Sequence, residues 1–176
     1  TVLFIYGIIQ FYGFDPFPRD FIRLEWENAF STFGNPNFFG SYLVLVIPII
    51  LHSFIAKKKN ISAFIYSISF YALLCTRTRG AWIGATIAII TYLVIYRLFS
   101  IINKQEIRRI LIILLITFII IIVFNIISND VFIYEFISIF KDVAKTIKND
   151  GAENAGSGRI FIWKKVIELI KDRPLT

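Results

Sequence analysis

Three arginines have the side-chain type and setting that most suggest chemistry. Arg77 and Arg79 lie in the short segment Thr76-Arg77-Thr78-Arg79-Gly80, between two apolar runs and with no acidic residue beside them. A guanidinium stays charged and grips phosphate oxygens two at a time. Uncompensated arginine at a membrane boundary is costly unless it reaches water, headgroups or an anionic ligand. Two readings follow: a snorkelling pair, or a clamp for a phosphate-bearing group. In one continuous helix the two side chains would point about 200° apart, from 3.6 residues per turn, and would serve different partners. Arg159 follows Gly156-Ser157-Gly158 and opens a helical stretch. Backbone N–H groups at a helix start favour anions, and an arginine there improves such a site. An exposed first-turn arginine is the plainer reading. Trp163, one turn later on the same face, is either an interfacial anchor or a platform for stacking a sugar. Phe33-Gly34-Asn35-Pro36-Asn37 reads as a turn in which Asn37 caps the helix that follows. Alternatively, Asn35 and Asn37 line the mouth of a polar cavity.

Other chemistries lack their residues. One histidine and one cysteine cannot build a zinc site. There is no glycine-rich nucleotide loop, so neither metal nor cofactor is expected. His52 reads as a packed or interfacial histidine. Cys75 lies in an apolar run and cannot form an intrachain disulfide.

The elements that carry these residues are set by composition. The 176 residues are 57% hydrophobic and only 18% charged, against about 45–50% apolar and 25% charged in soluble domains. That excludes an ordinary soluble globular domain, and it excludes disorder, which requires low hydrophobicity. Segments 38–56, 61–76, 81–99 and 110–127 approach the roughly 20 apolar residues of a membrane helix. A partial span covers 1–14. Pro48 is tolerable inside its span because neighbours or water can satisfy the freed carbonyl. Thr1 without a preceding Met suggests an internal slice of a longer protein.

The net charge of +7 has a topological reading. Lys57-Lys58-Lys59-Asn60 is purely basic, and the 97–109 connector sets Arg97, Lys104, Arg108 and Arg109 against Glu106 alone. Such loops face the cytoplasm and meet anionic lipid, which explains the charge without a nucleic-acid partner. The opposite face then holds 15–37, the arginine turn and everything after Ser128. In that tail, residues 132–147 form an amphipathic pattern. A polar loop over 149–158 follows, then a helix over 159–172 with Ser157 as N-cap and Pro174 as stop. The expected architecture is an all-α polytopic transmembrane bundle over 1–128. Residues 129–176 begin a large extracytoplasmic loop that contains amphipathic helices.

Three motifs line up in order: Ser31-Thr32-Phe33-Gly34-Asn35-Pro36-Asn37, Thr78-Arg79-Gly80-Ala81-Trp82, and Ser157-Gly158-Arg159-Ile160-Phe161-Ile162-Trp163 leading to Arg173-Pro174-Leu175. Together they resemble the O-antigen ligase and polymerase family of bacterial membrane proteins over essentially the whole chain. The resemblance implies a multi-pass inner-membrane glycosyltransferase that uses neither metal nor nucleotide. Its donor would be a polyprenyl diphosphate-linked glycan. Its acceptor would be a lipid-core sugar, a growing polysaccharide or a protein. The acceptor hydroxyl attacks the anomeric carbon with inversion and expels the lipid diphosphate. Arg79 and Arg159 correspond to the family arginines thought to bind that diphosphate. Arg77, Asn35, Asn37 and Trp163 are further candidates for substrate contact. The family's loop histidine falls downstream of this chain, and His52 is on the wrong face to replace it, so the fragment alone should be inactive. Arg23 is the nearest arginine upstream of the Asn-Pro-Asn motif, and no role is assigned to it. A flippase or transporter for the same lipid is the alternative, but mid-depth polar residues are too few for a conduit. A non-enzymatic scaffold has no need of the outer arginines.

Overall fold

The structure, a computed structural model, describes residues 1–15, 28–101, 103–129, 133–138, 141 and 159–172. The chain divides into two compact units, Thr1–Phe132 and Ile133–Thr176. Among the described residues the regular structure is all helical.

The first unit contains α1 (Val2–Phe11), a 3-10 turn at Ser31–Phe33, α2 (Pro36–Ile55), α3 (Ile61–Cys75), α4 (Arg79–Phe99) and α5 (Lys104–Ile127). Helices α2, α4 and α5 are long and apolar enough to cross a membrane, whereas α1 and α3 are shorter. At 1.5 Å per residue, the 15 residues of α3 reach about 22 Å, less than the roughly 30 Å of a hydrocarbon core.

Local sequence explains where the helices start. Asn35, not the expected Asn37, caps α2: its side chain accepts from the Asn37 N–H at 2.8 Å. Pro36 takes the first helical position, where its missing N–H costs nothing. Helix α5 begins at Lys104, six residues before the expected 110, because Asn103 and Glu106 form a reciprocal capping box. Helix α2 runs on through Pro48.

Helices α2 and α3 form the centre. Leu43, Ile47 and Leu51 of α2 are buried with Tyr66, Leu73 and Leu74 of α3. Helix α4 packs on α2 through small residues: Ala85 is buried, and a Cβ at Gly84 would sit 3.6 Å from Val44. Small residues let membrane helices approach closely enough for dispersion contacts to hold them. Several hydroxyls inside the helices bond within their own helix. Ser67 donates to Ala63, Thr86 to Trp82 and Thr117 to Ile113, each to a carbonyl at 2.8–2.9 Å. Thr117 also pairs with the Tyr66 hydroxyl at 2.7 Å, joining α3 to α5.

This packing gives the unit two chemically distinct ends. At one end, Arg109 of α5 donates to the Phe54 carbonyl at 2.9 Å and to Asn60 Oδ1 at 3.0 Å. His52 sits there edge-on to the rings of Tyr92 and Tyr96, which stack on each other. The other end gathers the arginine turn, the start of α2 and the close of α1.

In the second unit, residues 133–138 are helical, and the rest of the expected amphipathic helix over 132–147, apart from residue 141, lies outside the described residues. Helix α6 (Arg159–Asp172) is amphipathic and carries a Lys165–Glu168 ion pair at 2.8 Å.

Candidate functional site

The arginine turn is built by the end of α3. Thr76 closes that helix: its N–H reaches the Ala72 carbonyl, and its hydroxyl donates to Leu73 O at 2.7 Å. Arg77 follows in the left-handed region, with φ of +50°. Helices often end on such a residue, usually glycine, because a Cβ there is strained. The Thr78 and Thr76 hydroxyls pair at 2.7 Å. Thr78 then turns extended as the residue before α4, and Arg79 is the first residue of that helix. The two arginines are therefore split by a chain reversal and do not share one helix. The roughly 200° separation of a continuous helix does not apply.

The guanidinium of Arg77 lies 5.9 Å from the centre of the Phe11 ring, and its Nε is shielded from solvent. Phe11 in turn packs on Phe124 of α5, and Phe124 on Tyr71 of α3. The Tyr71 hydroxyl also meets that of Tyr12. An aromatic cluster from three helices thus backs one side of the turn. Trp82 backs the other: its indole N–H donates to Leu73 O at 3.1 Å, and the ring is buried. Arg79 is half-buried and Gly80 is exposed.

Helix α2 brings the Asn-Pro-Asn motif to the same end. A Cβ built on Gly40 would stand 2.7 Å from both Thr78 Oγ1 and Ala81 Cβ. Only glycine lets α2 lie this close to the start of α4. Asn35 and Asn37 are one turn nearer the helix start than Gly40. Asn35 is engaged as the cap, and Asn37 is exposed.

The segment before the motif is also pinned here. The Ala29 N–H donates to Cys75 O at 2.9 Å. Gln10, buried in α1, accepts from the Ser31 N–H through Oε1 at 2.6 Å. Its Nε2 donates to Ser31 O at 3.3 Å and to Asp15 Oδ2 at 3.0 Å. The Tyr6 hydroxyl donates to Asp15 Oδ1 at 2.7 Å. Gln10, Asp15, Ser31 and Tyr6 were not among the expected site residues. The polar Gln10 within an otherwise apolar run was the available signal.

Arg159 begins α6, as the sequence predicts, and Ser157, its expected cap, lies outside the described residues. Trp163, one turn on, is 72% exposed. Among the described residues no three His, Cys, Asp or Glu side chains gather into a metal-binding group.

The family model described as O-antigen ligase matches residues 63–176, more than half of the chain. The chain belongs to the O-antigen ligase family. No curated protein and no solved structure matches it. The matched region of this O-antigen ligase family member runs from the first turn of α3 through α6, so it contains Arg77, Arg79, Arg159 and Trp163. The Asn35-Pro36-Asn37 motif precedes it. With its long apolar helices, the O-antigen ligase family member is a membrane protein of glycan ligation.

Proposed function

We propose that this chain carries the diphosphate-binding part of a membrane glycosyltransferase. The enzyme transfers or polymerises a polyprenyl diphosphate-linked glycan at the outer face of the bacterial inner membrane. The reading rests on one observation above the rest. Arg77 and Arg79 flank a chain reversal at the start of a membrane helix, beside the Asn35–Asn37 motif. Arg79 opens the helix and Arg77 stands two residues before it, so both cations lie next to a helix N-terminus, which favours anions.

The chemistry follows from charge. An acceptor hydroxyl attacks the anomeric carbon. A C–O bond forms to the acceptor as the bond to the diphosphate oxygen breaks, and the electron pair leaves with the lipid diphosphate. Negative charge grows on that leaving group in the transition state, and preorganised cations stabilise it there. Arg79 holds the diphosphate and Arg77 assists, and the family resemblance gives Arg159 a diphosphate-binding role as well. The acceptor's proton passes to a general base, a role assigned to no residue here. Trp163 offers an exposed face for a sugar, and Asn37 a polar side chain at the mouth of the site.

The test is substitution in the full-length protein. Arg79→Ala and Arg159→Ala should each lower glycan transfer about a hundredfold or more, in line with the loss of a preorganised oxyanion donor. Protein abundance in the membrane should persist. Normal amounts of product from both variants would overturn the reading.

A further inference from the structure

The opposite end of the first unit holds a cationic cleft, apart from the arginine turn. Phe54, Asn60, Gln105, Arg108, Arg109 and Ile112 line an open cleft of about 420 Å³. That is within the roughly 300–1,000 Å³ of small-molecule sites. Gln105, Arg109 and Ile112 are spaced 4 and 3 residues apart on one face of α5, and the ends of α2 and α3 supply the facing wall.

Arg109 is preorganised. Its guanidinium stacks over the Phe54 ring at 4.8 Å and is tied to Phe54 O and Asn60 Oδ1. Those bonds use two N–H groups and leave the others for an anion. Arg108 is exposed at the same pocket. Along the chain, Lys57, Lys58 and Lys59 directly precede Asn60, and Lys104 directly precedes Gln105. Glu106 is the acid of this end, and it does not line the cavity. It is buried in its capping box, where the Asn103 N–H and side-chain amide donate to it. The cavity is therefore cationic without an internal counter-ion.

Its apolar flank identifies the ligand. Phe54 and Ile112 form part of the wall, and exposed Leu111, Leu115 and Phe118 continue along α5 away from the charged end. An anion held by Arg108 and Arg109 would have an apolar strip beside it of the kind an acyl chain covers. A free phosphate would leave that strip unused. We propose that this pocket binds the phosphodiester headgroup of an anionic phospholipid, with the acyl chains lying along α5. Basic pockets between membrane helices recognise such headgroups.

The full-length protein in neutral detergent tests this by native mass spectrometry with dioleoylphosphatidylglycerol as probe. The expected result is a retained lipid adduct. Arg108→Gln should weaken it about tenfold, the loss of one charge-assisted hydrogen bond. Arg109→Gln should weaken it at least as much, whereas Arg97→Gln, outside the pocket, should leave it unchanged. Arg108 is exposed and holds no helix end, so its variant remains informative if Arg109→Gln fails to fold. Equal losses from Arg108→Gln and Arg97→Gln would overturn the proposal in favour of diffuse attraction. Displacement of the lipid by millimolar inorganic phosphate would overturn it in favour of a free-phosphate site.

Discussion

At the scale of single residues, Arg77 and Arg79 make different demands. Arg79 starts a helix in ordinary backbone geometry, so its identity is open to chemical selection. If it holds a diphosphate bidentately, Arg79→Lys keeps the charge but loses the planar fork. Transfer should then fall about tenfold or more, with the donor's KM or the chemical step affected and the melting temperature unchanged. Arg77 occupies a left-handed backbone position that costs a non-glycine residue about 1–2 kcal/mol. Arg77→Gly relieves that strain and gives up a cation–π contact worth about 0.5–1 kcal/mol. The variant should melt at or slightly above the parent temperature yet transfer glycan less well. A loss of stability with normal transfer would assign Arg77 to folding alone. Sequence shows that an arginine stands at position 77, but not that the chain reverses through it. Nothing in the residue type announces a left-handed conformation. The same is true of Gln10, whose partner Ser31 lies 21 residues away along the chain and is found only in the folded structure.

Among elements, the contact that assembles the candidate site is α2 against the start of α4. Gly40→Ala would set a methyl 2.7 Å from Ala81 Cβ, an atom with no rotamer to escape into. The helices would have to part, which costs about 1–3 kcal/mol for overpacking. We expect a lower melting temperature in detergent together with impaired transfer, since the arginine turn moves with α4. Asn103→Ala provides the contrast. It removes the capping box at the far end of the bundle and should cost about 1 kcal/mol while leaving transfer intact. Helix existence was legible from apolar runs, because a backbone in lipid has few ways to satisfy its own hydrogen bonds. Helix starts were less so. The apolar pattern of α5 begins near Ile110, but its capping box lies in a polar stretch that hydropathy reads as loop.

For the whole molecule, the two ends of the first unit differ in kind. One is an aromatic-backed turn with two arginines, and the other is a basic rim with its own cavity. In the topology we propose, following the positive-inside rule, the basic rim faces the cytoplasm. Cys75, the single cysteine of this chain, is buried, so labelling of introduced cysteines has a low background. Lys58→Cys should react only with membrane-permeant thiol reagents in intact cells, whereas Thr32→Cys should react with impermeant ones. The reverse pattern would invert the proposed topology and remove the arginine turn from the outer face. Composition, spans, basic loops and the three ordered motifs follow from the chain alone. They are local properties, each settled within about 20 residues by the cost of burying charge or exposing apolar surface. Packing was needed to learn that Gly40 seats α2 on the arginine turn, that Phe11 and Phe124 back Arg77, and that Arg109 closes a pocket on Phe54. Those pairs are far apart along the chain, and shape complementarity between helices, which no single segment encodes, brings them together.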